Sequence, residues 1–177
     1  MPTQVAFLRA INVGGTKVIR METLRVLCSA FGLENVRTYI QSGNVIFDAR
    51  VTATLEAGLE RHLEQALGYH VEVFLRSMAE LETITKHPPF EPQDDETLHV
   101  TFLRAKPPRA VAEKLKQHNS TADEFAVIGR EVYNLRHDRE RSVFSNQFIE
   151  KLFGKATTRN LTTLRKIVEQ FSFQERK

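Results

Sequence analysis

The sequence predicts an α+β protein, a tandem duplication of two ferredoxin-like halves of the βαββα type closed by a C-terminal helix. Three observations carry this expectation. Apolar periodicity through the first half runs strand, helix, strand, strand, helix, strand, which is the split-βαβ order. The stretch Pro88-Pro89-Phe90-Glu91-Pro92-Gln93-Asp94-Asp95-Glu96 then interrupts any regular element, because proline cannot continue a helix and the acids favour solvent. Finally, Val5-Ala6-Phe7-Leu8-Arg9-Ala10 returns as Val100-Thr101-Phe102-Leu103-Arg104-Ala105, identical at five of six positions. The expected division is therefore residues 1–87, a connector at 88–96, and residues 97–177.

Each element follows from local pattern. Val5 to Ile11 alternates as a strand and is stopped by Asn12 and the Gly14-Gly15 pair. Met21, Leu24, Leu27, Cys28 and Phe31 recur at helical spacing, with Gly32 at the position past a helix end that favours glycine. Val36 to Gln41 and Val45 to Phe47 read as a hairpin, its positive-φ residues supplied by Gly43 and Asn44. Leu55, Leu59, His62, Leu63 and Ala66 mark a second helix ended by Gly68, and Val71 to Leu75 a fourth strand. A short helix is expected over Met78 to Thr85. In the second half, Leu98 to Arg104 is a strand and Arg109 to Gln117 a helix, followed by a hairpin from Phe125 to Leu135 turning at Gly129-Arg130. Val143 to Phe153 and Leu161 to Phe171 read as helices, the latter standing where a fourth strand belongs.

Composition bounds the class. With 41% apolar and 27% charged residues, the chain is an ordinary globular protein able to bury a core without staples. The single cysteine, Cys28, excludes an internal disulfide and suits a reducing compartment. Met1-Pro2-Thr3-Gln4 lacks the basic start and apolar run of an export signal, and no apolar stretch reaches about 18 residues. A cytoplasmic location away from membranes is the expectation. The net charge of +3 conceals an asymmetry: residues 1–97 carry 9 Lys and Arg against 13 Asp and Glu, whereas residues 98–177 carry 16 against 9. Such a basic half suits an anionic ligand or an acidic neighbour.

Leu8-Arg9-Ala10-Ile11-Asn12-Val13-Gly14-Gly15, Met21-Glu22-Thr23-Leu24-Arg25 and the run from Thr38 to Phe47 resemble the family called domain of unknown function 1697. The likeness continues through Val71 to Ser77, Pro89-Phe90, Gly129 to Tyr133 and Thr158-Arg159-Asn160. The resemblance implies a two-lobed α+β architecture and carries over no activity.

Four places suggest binding chemistry. Between the first strand and helix, Asn12, Gly14, Gly15 and Lys17 can form an anion nest of successive amides reinforced by a lysine, although the glycines also suffice simply to reverse the chain. Arg9, Arg76 and Arg104 each stand two residues after a phenylalanine on a strand, and Arg9 and Arg104 occupy repeated positions that could meet one anion; the alternative is solvent or a nearby acid. Arg159 and Asn160 precede the last helix, where free amides attract anions or are merely capped. Ser42 and Asn44 lie at a hairpin tip, touching a ligand or making the turn.

Other chemistries find no pattern. The six histidines show no paired metal spacing, so no metal is expected. Neither the phosphate-loop nor the dinucleotide glycine spacing occurs, so no cofactor is expected. No catalytic triad or nucleophile elbow can be named, which leaves the catalytic residues unassigned and enzymatic activity open. The expectation is a small-ligand or anion-binding protein with its site between two lobes. The alternatives are nucleic-acid binding, with Phe7 and Phe47 on the strands where RNA-recognition modules carry aromatics, and a non-catalytic interaction module. The sequence does not set an oligomeric state.

Overall fold

The computed structural model describes residues 1–172 of the chain. The expected second half, 97–177, therefore ends outside the described residues. Among these residues stand two four-stranded antiparallel sheets and six helices. The elements are β1 (Thr3–Leu8), α1 (Met21–Phe31), β2 (Glu34–Thr38), β3 (Asn44–Asp48), α2 (Leu55–Leu67), β4 (Val73–Ser77) and α3 (Met78–Lys86). There follow β5 (Thr97–Phe102), α4 (Arg109–Lys116), β6 (Asp123–Ile128), β7 (Glu131–Arg136), α5 (Asn146–Phe153), β8 (Thr157–Asn160) and α6 (Leu161–Phe171). None of the described helices is long and apolar enough to cross a membrane.

The chain divides into two compact units. The first holds Met1–Thr83 with the described residues from Ile167 onward, and the second holds Ile84–Lys166. The division thus falls within α3 and α6, rather than at the proline-rich stretch 88–96 alone, because compactness follows spatial contact and the end of α6 contacts first-unit residues. The Arg37 guanidinium, for example, lies 5.4 Å from the centre of the Phe171 ring.

In the first unit the sheet order is β2-β3-β1-β4. Ala6, Leu8, Val45, Phe47, Val73 and Leu75 share one face and form a core with Leu24 and Cys28 of α1 and Leu59 and Leu63 of α2. The opposite face is equally dry: Val5, Phe7, Ile46 and Phe74 are 0% exposed and Arg76 is 1%. β1 is accordingly buried along its whole length, and its alternation separates two apolar faces rather than core from solvent. β4 is an edge strand, and α2 shields its amides. Glu60 accepts from the Val73 amide at 2.8 Å and Glu56 from the Leu75 amide at 3.0 Å, an i, i+4 pair of carboxylates on one helix face. α3 starts with a capping box: the Ser77 amide donates to Glu80 at 2.7 Å and the Glu80 amide to the Ser77 hydroxyl at 3.1 Å.

The second unit has sheet order β6-β7-β5-β8, with a core of Leu103, Leu115, Phe125, Val132, Ile149 and Ala156. β8 corrects the sequence expectation that a helix replaces the fourth strand. Thr157–Asn160 pairs antiparallel with β5, and the Thr101 and Thr158 hydroxyls meet at 2.7 Å across the strands. A four-residue polar strand abutting a helix carries too little periodicity to be told from that helix's first turn. α5 also begins later than expected, at Asn146, because the Ser145 hydroxyl accepts the Phe148 amide and caps it there.

The two sheets share a register. Val5 pairs with Arg76 in the first, and Val100 pairs with Arg159 in the second. Both arginines are buried, and each donates from Nη1 to the carbonyl of its preceding residue, Leu75 at 2.8 Å and Thr158 at 2.9 Å.

Candidate functional site

The loop joining β1 to α1 gathers most of the residues the sequence singles out. Five of its positions lie in the left-handed region: Ala10 (φ 57°), Asn12 (φ 54°), Gly14 (φ 57°), Gly15 (φ 75°) and Lys17 (φ 48°). Three of these are not glycine, and such a run persists only when surrounding bonds enforce it. Asn12 supplies them. Its Nδ2 donates to the Ile19 carbonyl at 3.1 Å and the Gln41 carbonyl at 2.8 Å, while its Oδ1 accepts the Ile19 amide at 2.8 Å. Gly14 and Gly15 form the tip of a small reversal in which the Thr16 amide donates to the Val13 carbonyl at 3.1 Å.

The charged members of this loop face protein partners. Arg9 lies 3.4 Å from Glu72, with the two side chains 18% and 13% exposed. Lys17 donates to the His70 carbonyl at 3.4 Å and sits over the Tyr69 ring. The β2–β3 turn places Gly43 (φ 85°) where a Cβ would stand 2.7 Å from Ile11, so glycine is required by both backbone and space. Asn44, expected in the turn with positive φ, is instead the buried first residue of β3, donating to the Tyr39 carbonyl at 3.0 Å and the Ser42 hydroxyl at 2.9 Å. The second left-handed residue near this turn is Ile40 (φ 50°). Arg9, Asn12, Lys17, Ser42 and Asn44 are therefore brought to one end of the first unit.

Arg159 and Asn160 are elsewhere, on β8. Arg159 is 8% exposed, its Nη1 also donates to the Thr157 hydroxyl at 2.8 Å, and burial pulls its pKa down to about 10. Asn160 pairs with His99 in the ladder and is the last residue of the strand. Cys28, deep in the first core, has its thiol pushed up to about 12 by burial, as suits a packing residue. Phe7 and Phe47 are both 0% exposed and present no open stacking surface.

Arg104 leads to a different place. Together with Lys106 and Lys155 it lines a cavity of about 340 Å³ in the second unit. The remaining walls are Leu103, Ala105, Pro107, Pro108, Val111, Leu152 and Phe153, and no lining residue is acidic. Strand register explains how this pocket arises. Arg9 and Arg104 each stand four residues after the paired valines Val5 and Val100, and Glu72 and Lys155 each stand four residues before the paired arginines Arg76 and Arg159. Where Glu72 stands near Arg9 in the first unit, the corresponding position in the second is Lys155, which lines the same cavity as Arg104. The connection above it is also shorter: residues 9–20 join β1 to α1, but only residues 103–108 join β5 to α4. Lys106, Pro107, Pro108 and Lys155 were not among the expected site residues. For the first three the signal in the sequence is the basic, proline-bearing run Arg104-Ala105-Lys106-Pro107-Pro108-Arg109 directly after a strand.

A second polar assembly in this unit is structural in form. Buried Asp123 accepts from Asn134 at 2.9 Å, the Ser142 hydroxyl at 2.7 Å and the Val143 amide at 2.8 Å, fixing the loop after β7. His99 bonds Asn134 at 3.1 Å and stacks on Phe144, and burial lowers its pKa. At the surface, His137 is held between Glu96 and Glu124, which raise its pKa.

The family model described as "Protein of unknown function (DUF1697)" matches residues 1–133 of the chain. The chain belongs to the DUF1697 family. The match takes in β1 to β7 up to Tyr133, and with them Arg104 and Lys106 of the pocket, while Lys155 and Arg159 lie beyond it. Among solved structures, this DUF1697 protein is similar to the conserved bacterial protein SP0830 from Streptococcus pneumoniae, at 22% identity and a TM-score of 0.73. That likeness covers 97% of this chain and 99% of the other, so the mixed α+β fold is shared over nearly the full length. No curated protein matches the chain.

Proposed function

We propose that this protein binds a small anionic ligand in the cavity formed by Arg104, Lys106 and Lys155. The observation carrying this reading is that Arg104, Lys106 and Lys155 line one cavity whose walls hold no acidic residue. Three basic side chains around one hollow make a positive field that an anion complements. Arg104 offers a planar fork suited to oxyanions, and the two lysines add point charges. The nucleic-acid alternative draws little support, because Phe7 and Phe47 are wholly buried. Calorimetric titration with inorganic phosphate at low salt tests the reading. Lys106→Ala and Lys155→Ala should each weaken binding by about tenfold, the worth of one charge-assisted hydrogen bond. Absence of phosphate binding, or binding indifferent to both substitutions, would sink it.

The same register supports a finer account of the fold, in which the two halves are duplicated ferredoxin-like units. Both sheets have the same strand order, and both bury an arginine opposite the same valine position. A cytoplasmic location agrees with the use of a single, buried cysteine, Cys28.

A further inference from the structure

Three hollows of the second unit share walls beyond the end of β5. The cavity of about 340 Å³ at Arg104 has Lys106 and Pro107 in common with a neighbour of about 330 Å³, and Lys155 in common with another of about 510 Å³. Helical periodicity builds the two outer ones. Arg109, Ala112, Glu113 and Lys116 recur at i, i+3, i+4 and i+7 and bring one face of α4 to the first neighbour. Gln147, Glu150, Lys151 and Gly154 repeat that spacing along α5 and bring one face to the second. Around the three hollows Arg104, Lys106, Arg109, Lys116, Lys151 and Lys155 stand against two acids. Both acids are engaged: Glu113 accepts from Arg109 at 3.0 Å, and Glu150 from Asn146 at 2.9 Å and the Ala156 amide at 3.2 Å. The four lysines are exposed and form no ion pair among the described residues.

A single oxyanion in the central hollow leaves Lys116 and Lys151 without a counter-charge. Resting on the anion-binding reading, we propose that the ligand is a linear chain of phosphates lying along all three hollows. Lys106 and Lys155, each shared between two hollows, hold its middle, while Lys116 and Lys151 hold its ends. Once one phosphate is bound, each further one meets its lysine at high effective concentration, so affinity grows with chain length. The walls favour a bare phosphate chain over a nucleic-acid strand. Phe153 is the one aromatic residue lining these hollows, and it is half-buried, so successive bases would find no stacking platform.

The test compares inorganic phosphate, tripolyphosphate and linear hexaphosphate on the full chain, by calorimetry at fixed ionic strength. Affinity should climb along this series, with hexaphosphate at least about tenfold tighter than phosphate. Lys116→Ala and Lys151→Ala should each weaken hexaphosphate about fivefold, the worth of one hydrogen-bonded contact, and leave phosphate unchanged. Lys114 lies on α4 but off the lining face, so Lys114→Ala should change neither, with circular dichroism confirming the fold of every variant. A loss in Lys114→Ala as large as in Lys116→Ala would mean diffuse attraction to a basic surface and overturn the groove. Equal affinity for the three probes, or a hexaphosphate preference indifferent to Lys116→Ala and Lys151→Ala, would overturn the chain and leave the anion reading standing. Binding of none would overturn both. Adenosine triphosphate binding more tightly than tripolyphosphate would show that a nucleoside is read and overturn the bare chain. A short single-stranded oligonucleotide binding more tightly than hexaphosphate would assign the groove to nucleic acid and overturn it equally.

Discussion

Counted from the paired arginines Arg76 and Arg159, Lys155 falls where Glu72 falls, just before the fourth strand of each sheet, and the two carry opposite charge. Lys155→Glu should therefore rebuild in the second unit what Arg9 and Glu72 make in the first. Phosphate binding should fall by at least about tenfold, while the urea midpoint stays put or rises slightly, since an exposed pair contributes roughly 0–1 kcal/mol. Loss of folding in that variant would show that the two places are not equivalent. His137 gives a second test at this scale. Its pKa is raised above the ordinary 6.5 by Glu124 and Glu96, so its stabilising effect is complete below 6.5 and lost as pH climbs through the higher folded-state value. Glu96, lowered from 4.5 by the Gln93 amide and His137, contributes above 4.5 and loses its effect as pH falls through the depressed value. Melting curves should show wild type gaining most over His137→Gln between about pH 4.5 and 6.5, with the advantage shrinking on either side. A constant difference across pH would refute the clamp. For Asn12, three hydrogen bonds and a positive φ predict that Asn12→Ala costs about 1–3 kcal/mol in chemical denaturation.

Among the elements, the two hairpin turns offer an internal control. Gly43 and Gly129 both have positive φ, 85° and 59°. A methyl at Gly43 meets Ile11 at 2.7 Å and Leu8 at 2.9 Å, whereas at Gly129 the nearest atom is 4.0 Å away. Gly129→Ala should cost about 1–2 kcal/mol for backbone strain alone. Gly43→Ala should cost clearly more, because it adds overpacking worth about 1–3 kcal/mol. Equal losses by denaturant titration would mean that Leu8 and Ile11 yield freely. The same contrast explains what was legible beforehand. Helices α1, α2 and α6 announce themselves because apolar stripes, and in α1 and α2 the terminal glycines Gly32 and Gly68, are local signals. β8 does not, since four polar residues become a strand only through pairing with β5. Gly43 was read correctly as a turn residue, but the assignment of Asn44 beside it failed, because its side chain is consumed by Tyr39 and Ser42 across the turn. The pocket was half legible: Arg104 stood out through the repeated strand, but Lys155 gains its meaning only from a register that links residues far apart in sequence.

For the molecule as a whole, the grouping of α6 makes a claim that chain order alone would not suggest. The described residues from Ile167 onward cluster with the first unit, although more than eighty residues of the second unit separate them from Thr83. Phe171 is 4% exposed and carries the Arg37 guanidinium over its ring, on the edge strand β2 of the first sheet. Removing that ring should destabilise the protein by about 3–5 kcal/mol, as for other buried phenylalanines. The distribution of the loss matters more than its size. If the end of α6 belongs to the first unit, amides of β2 and β3 in Phe171→Ala should exchange with deuterium faster than in wild type, while those of β6 and β7 keep their protection. Faster exchange confined to β6 and β7 would instead assign the whole of α6 to the second unit. Uniform acceleration across both sheets would mean that the two units unfold as one and that the division has no energetic counterpart.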